Sequence, residues 1–378
     1  MRERKKKSVI SAGHICLDIT PAIFQGKKYS NISEFLVPGS LIPVGKPDVH
    51  IGGSVGNTGL AMRILGADVK LMGKVGNDEF GRLVLNQIAE YGDYSGMIVS
   101  DKVNTSYSTV IAVPGVDRII LHNSGANHAF TVEDIDEHLV EGASLFHFGY
   151  PTLMRSMYQN EGKPLIELLK WVKSKGTATS LDMAIVDEDC EAGQVNWEKV
   201  LQKAMPHIDI FAPSVEELAF MIDRPRYHEW KLRCKDEDIT SVLTLEEDIR
   251  PLADKLLSWG AKIVLIKCGA PGLYLRTNTK EYIGKIGGGL GFEMDDWAEV
   301  DFFEKSYRPE RILSGTGAGD TSIAAFLCAI LEGSSWKEAL HLAAAAGASC
   351  VASYDALSGL KSLEELRKKI SAGWKKLE

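Results

Sequence analysis

From residue 8 onward, short runs of apolar and β-branched residues alternate with longer stretches whose apolar positions recur at helical spacing. The short runs at 69–72, 145–149, 179–182, 208–212 and 262–267 predict buried strands, because they are too brief for helices. The longer stretches at 55–65, 164–175, 215–222, 249–259 and 336–351 predict helices. Gly66, Gly176 and Gly260 stand just past three of them, where a left-handed residue closes a helix. Ser335 and Glu338 form a capping-box pattern ahead of the last. The run 8–18 follows a basic start, Arg2 to Lys7, but His14 and Asp18 interrupt it, so it reads as a first buried strand and not as a signal peptide. Strands alternating with helices imply an α/β fold: a doubly wound, mostly parallel sheet covered by helices on both faces, with ligands at the carboxyl ends of the strands.

Two stretches break the rhythm. Residues 19–50 contain Pro21, Pro38, Pro43 and Pro47, and residues 103–122 alternate through Val110 and Ala112 into Arg118-Ile119-Ile120-Leu121. Both predict extended strands inserted into a single domain spanning 1–378, forming a small β lid over the site. A third stretch, 277–312, holds the glycine cluster at 287–291 and the acids Asp295 and Asp296. The cluster follows no clear strand and opens no helix, so a mobile loop is expected there instead of a nucleotide fingerprint.

Composition acts mainly by exclusion. The chain has 378 residues, 45% hydrophobic and 25% charged, with a net charge of −8. No basic stripe interleaved with aromatics appears, so a nucleic-acid partner is not expected. No window approaches the roughly 20 apolar residues of a membrane span, and a cytoplasmic protein is the expectation. The six cysteines lack any C-x-x-C pair and read as buried thiols. The nine histidines lack metal-ligand spacing, so any metal is expected to be Mg²⁺ brought by a nucleotide.

The stretch 315–328, Gly-Thr-Gly-Ala-Gly-Asp-Thr-Ser-Ile-Ala-Ala-Phe-Leu-Cys, carries the clearest chemistry, because a glycine-rich turn runs straight into an apolar helix. Glycine at 317 and 319 lets successive amides of Gly317, Ala318 and Gly319 face one concavity at the positive end of a helix dipole, which suits a phosphate. Asp320 stands where the helix opens, placed to take a proton from a hydroxyl attacking that phosphate; a simple N-cap is the structural alternative. Asp18, at the end of the first strand, can accept hydrogen bonds from a polyol. Gly52 and Gly53 precede a helix carrying Asn57, so backbone and one amide can approach the same ligand.

Taken in order, Gly52-Gly-Ser-Val-Gly-Asn57, Gly73-Lys-x-Gly76-x-Asp78-x-Phe-Gly81 and Gly317-Ala-Gly-Asp320 resemble the two signatures of the ribokinase-like (PfkB) carbohydrate kinases over nearly the whole chain. The resemblance implies a ribokinase-like fold with a β lid, MgATP as donor, and a small sugar or related alcohol as acceptor. It implies Asp320 as catalytic base, the 317–319 amides as anion hole, and Asp18, Gly52, Gly53 and Asn57 as acceptor ligands. The turn from Lys267 through Gly269 to Gly272 resembles the segment beneath the nucleotide, and Glu217 matches a glutamate that positions Mg²⁺ through water. Ser214 replaces the family's asparagine, and Asp182-Met-Ala replaces its common Asp-Pro-Asn. Ser314-Gly315 replaces an Asp-Thr tied to a monovalent cation, which leaves activation by such a cation in doubt.

The reading is therefore an ATP-dependent kinase of a hydroxyl on a small sugar or sugar acid. A nucleoside kinase of the same family, or a sugar-binding paralogue with impaired turnover, are the alternatives. A dinucleotide oxidoreductase is disfavoured, since the first strand is not followed by G-x-G-x-x-G. Exposed lid strands able to pair between protomers make a homodimer through the lid a further expectation.

Overall fold

The computed structural model describes residues 7–23, 28–116, 118–235, 237–291 and 293–377. Most of the basic start, and residues 24–27, 117 and 292 within the three irregular stretches, lie outside them. An eight-stranded sheet runs, from one edge, Asp301–Lys305, Gly272–Thr277, Ile263–Lys267, Ile210–Phe211, Ala178–Asp182, Leu145–Gly149, Ser8–Gly13 and Asp68–Met72. The six strands from Ile263–Lys267 onward pair in parallel, and the two at the far edge are antiparallel. Successive side chains leave opposite faces, so Val9 enters one core while Ile10 enters the other. One core is closed by helices Ala318–Glu332 and Trp336–Cys350, the other by Arg155–Ser174, Val215–Ile222 and Arg250–Ser258. Burial on both faces explains why these strands read as unbroken apolar runs.

The lid is a separate four-stranded sheet in the order Asp48–Gly52, Cys16–Thr20, Tyr107–Ile111, Ile119–Asn123. Its first strand starts upstream of the expected 19–50 segment, because the single strand expected over 8–18 is two. Ser8–Gly13 belongs to the main sheet and Cys16–Thr20 to the lid, with only His14 and Ile15 between. The buried Asn127 side chain pins that joint, accepting from Ile15 N at 3.0 Å and donating to Ile15 O at 2.9 Å. Asp18 therefore lies in the lid and not at the end of the first main-sheet strand.

Other departures are local. The helix expected at 55–65 opens with a π turn, Val55–Gly59, before Leu60–Ile64. The stretch 277–312 is not a bare loop. It holds short helices Lys280–Ile283 and Met294–Trp297 and the edge strand Asp301–Lys305, with Trp297 fully buried against Phe326. Five cysteines are buried as expected, but Cys190 is exposed. Among the described residues no helix is long and apolar enough to cross a membrane.

Candidate active site

At the carboxyl ends of the central strands, helix Ala318–Glu332 begins after Gly317, which has φ 76°. A Cβ at 317 would sit 2.2 Å from the Ala356 methyl, so close packing and backbone angle both require glycine. The Thr321 amide makes the helix's first backbone bond, to Gly317 O at 2.8 Å. The amides of Gly319 and Asp320 donate to no group among the described residues and remain for an anion at the positive end of the dipole. Ala318 departs from expectation, because its N–H closes the preceding turn on Gly315 O at 3.3 Å. From the lid, the Arg118 guanidinium reaches the Thr316 hydroxyl on this same turn.

Asp320 is buried with its carboxylate turned inward. Tyr150 donates to Oδ1 at 2.7 Å, Thr58 to Oδ1 at 3.0 Å and Asn57 to Oδ2 at 3.0 Å. Burial pushes its proton affinity above the usual carboxylate range; the Tyr150 hydrogen bond, Lys267 and the Thr58 and Asn57 hydrogen bonds pull it back. Such an acid is a better proton acceptor than an exposed one. Asn57, expected on the acceptor, spends one amide hydrogen on Asp320. Tyr150 and Thr58 were not singled out in the sequence: Thr58 lies inside the helical pattern at 55–65 without marking itself, Tyr150 follows a strand run, and both reach Asp320 only through tertiary structure. Tyr150 holds φ 63° and ψ 44°, a left-handed conformation that costs a non-glycine residue about 1 kcal/mol.

Lys267, ending its strand, donates to Asp182 Oδ1 at 2.6 Å, with both side chains nearly buried. Its aliphatic chain lies 3.2 Å from where a Cβ on Gly319 would stand, so the ammonium sits beside the first turn of the helix. Burial raises the Asp182 carboxyl and Lys267 opposes it, while Glu217 and Asp320 add like charge. Glu217 faces this group but also closes a capping box, its Oε2 accepting from Ser214 N at 2.7 Å. Gly269 and Gly272 have packing reasons to be glycine: a Cβ would meet Thr240 in the first case and the Glu304 carbonyl, across the antiparallel pair, in the second.

On the lid side, a Cβ at Gly52 would stand 2.1 Å from Asp18 Oδ2, so glycine there lets the carboxylate lie across the backbone. Gly53 has φ 80°, and a Cβ on it would strike His14 Nδ1 and His14 O. His14 was not among the expected ligands, nor was its partner His122, 3.2 Å away between Nε2 atoms; His122 Nδ1 lies 3.1 Å from the Ser108 hydroxyl. Burial holds both imidazoles below the usual range, so they are neutral at pH 7 and offer a donor and an acceptor each. Among the described residues, His14 Nδ1 is buried without a partner. Asp18, Gly52, Gly53, His14 and His122 thus gather on the lid side, and the His14 ring lies 6.0 Å from that of Tyr150, which joins Asn57 and Thr58 on Asp320.

A buried carboxylate beside unused helix-start amides, roofed by a small β sheet, defines a phosphotransferase with an alcohol acceptor. The chain belongs to the pfkB family of carbohydrate kinases, whose family model matches residues 13–363. It is 24% identical to 5-dehydro-2-deoxygluconokinase of Clostridium perfringens, over 97% of this chain and 93% of that one. It is 25% identical to 2-dehydro-3-deoxygluconokinase of Thermoproteus tenax, over 88% and 90%. In fold it resembles Arabidopsis thaliana ribokinase complexed with ribose and ATP, with TM-score 0.68, 21% identity and coverage of 96% and 98%. It also resembles fructokinase with bound ATP from Xylella fastidiosa, with TM-score 0.70, 18% identity and coverage of 97% and 99%.

Proposed function

We propose that the chain transfers the γ-phosphoryl group of MgATP to a hydroxyl of a small sugar acid, with Asp320 as the base. The observation that carries this reading is the pairing of a buried, hydrogen-bonded carboxylate with the amides of Gly319 and Asp320 in one helix turn. The residues fit the donor. Those amides and Lys267 offer positive potential to phosphate oxygens. The unpartnered, buried Oδ2 of Asp182 and the nearby Glu217 suit a cation that keeps most of its water. When bound, MgATP supplies the phosphoryl group and a metal charge that offsets its negative oxygens.

Asp18, His14 and His122 hold the acceptor's polar groups at the lid end and direct one hydroxyl toward Asp320. Asp320 accepts that proton as the bond to phosphorus forms, which asks little basicity of it because positioning and charge stabilisation dominate such transfers. Arg118 of the lid lies on the glycine turn, where it helps to exclude competing water. A sugar acid is favoured over a nucleoside by the two relatives named for deoxy keto sugar acids and by the polar lining of the acceptor end. A coupled ADP-release assay across 5-dehydro-2-deoxygluconate, 2-dehydro-3-deoxygluconate, ribose, fructose and adenosine tests it. One of the acids gives the highest kcat/KM; a best result with adenosine overturns the acceptor class.

A further inference from the structure

Of the three groups that donate to Asp320, Asn57 and Thr58 sit together at the start of one helix, whereas Tyr150 comes from the end of a central strand and reaches the acid from a backbone conformation that tyrosine seldom adopts. We propose that Tyr150 is a positioning residue for phosphoryl transfer: with Thr58 its phenol fills the Oδ1 side of Asp320, keeps the buried carboxyl ionised, and leaves Oδ2 to take the acceptor's proton. For the identity of the reaction this rests on the kinase reading above; for the state of the carboxylate it rests on geometry alone.

A carboxylate oxygen has two in-plane lone pairs. On Oδ1 both are taken, by Tyr150 at 2.7 Å and Thr58 at 3.0 Å. On Oδ2, among the described residues, only Asn57 is bound, at 3.0 Å, so one lone pair remains for an incoming hydroxyl. The charged and titratable groups around Asp320 come from every element packed on it. Lys267 on its strand favours the ionised form. Asp182, two strands along the sheet from Lys267, opposes it; Glu217 on helix Val215–Ile222 acts on Asp182, Lys267 and Tyr150, and the Cys350 thiol on Trp336–Cys350 stays protonated. Within this balance the phenol is the strongest group holding the acid ionised after burial has raised it, and its own titration is pushed far above 10, so it remains a donor.

The backbone argues the same way. Tyr150 follows Gly149 at the end of a central strand and precedes Pro151, and its N–H donates to Asp182 O at 3.1 Å. Glycine or asparagine would fit that turn without strain. Strain of this kind persists where the surroundings enforce it and the side chain is used.

The test is a carboxyl titration by NMR on the whole chain labelled with ¹³C-aspartate, the Asp320 resonance being identified by its loss in Asp320→Asn. Tyr150→Phe keeps the ring and removes the donor. The Asp320 midpoint is expected to rise by about one pH unit, roughly a tenfold gain in proton affinity. With the best acceptor, the acid limb of kcat/KM moves by the same amount, kcat falls about tenfold and the acceptor KM changes less than about twofold. A midpoint unchanged in a protein of native thermal stability overturns the proposal. So does a marked fall in acceptor KM, which would mean that the phenol stands in the acceptor's place. If Tyr150→Phe does not fold, 3-fluorotyrosine at position 150, a stronger donor of nearly native shape, lowers the midpoint; no change there refutes the role equally. The titration needs no substrate, so it decides the matter even if every acceptor in the assay fails.

Discussion

Two helices in this molecule start in nearly the same way and end up with different tasks. Gly53, at φ 80°, leads into Val55–Gly59 and Leu60–Ile64; Gly317, at φ 76°, leads into Ala318–Glu332. The helices share one core, with Cys328 Sγ against Met62 O. At both starts a carbonyl takes the first helical amide, His14 O that of Val55 at 3.1 Å and Gly315 O that of Ala318 at 3.3 Å. What differs is what stands beside the next residues: Gly56 packs against the Ile51 side chain and is followed by the donors Asn57 and Thr58, whereas Gly319 lies against the Lys267 chain and is followed by the acid Asp320. The same glycine device yields a side-chain surface or an anion site according to whether an apolar or a cationic neighbour faces the first turn.

Substitutions can break that contrast, and the largest effect belongs to the acid itself. Asp320→Asn is expected to lower kcat by about 10³-fold in the ADP-release assay while leaving the fold intact. Activity equal to wild type would remove the acid from the chemistry. Gly317→Ala strains the second start and drives a methyl into Ala356, displacing the phosphate amides; kcat should fall by about 10²-fold with acceptor KM little changed. The matching change at the first start, Gly53→Ala, presses on His14 and should raise acceptor KM about tenfold while kcat moves less than about threefold. If both glycine variants altered the same kinetic parameter, the division of labour would be wrong.

The smallest effect concerns pH. His14 is held neutral by burial, so protons bind the unfolded chain more readily, and its contribution to stability is present above the ordinary histidine range and fades as pH falls through about 6.5. Urea melts at pH 7.5 and 5.5 should show a loss on the order of 1 kcal/mol from this group. His14→Asn should flatten that slope.

Periodicity placed the body of the fold well. The runs at 145–149 and 215–222 coincide with Leu145–Gly149 and Val215–Ile222, because strands buried on both faces and amphipathic helices leave strong local patterns. The helix start after Gly317 was legible because a glycine-rich turn running into an apolar stretch is a strong local pattern. What failed was long-range. The run 8–18 keeps a strand-like pattern on both sides of Gly13-His14, so nothing in it marks that Cys16 has left one sheet for another. The stretch 277–312 looked like a loop because its short helices fall below the length at which periodicity shows, and Trp297 declares its burial only in three dimensions. Tyr150 and Thr58 touch Asp320 across separations of 170 and 262 residues, which no local pattern encodes.

The two-residue joint at His14 and Ile15 has a consequence for how the two sheets are tied. Asn127 holds Ile15 on both its N–H and its C=O, so this crossing is anchored to the main body. The imidazole at 14 therefore stands on the anchored side and the carboxylate at 18 on the small sheet, and a molecule touching both would staple one sheet to the other.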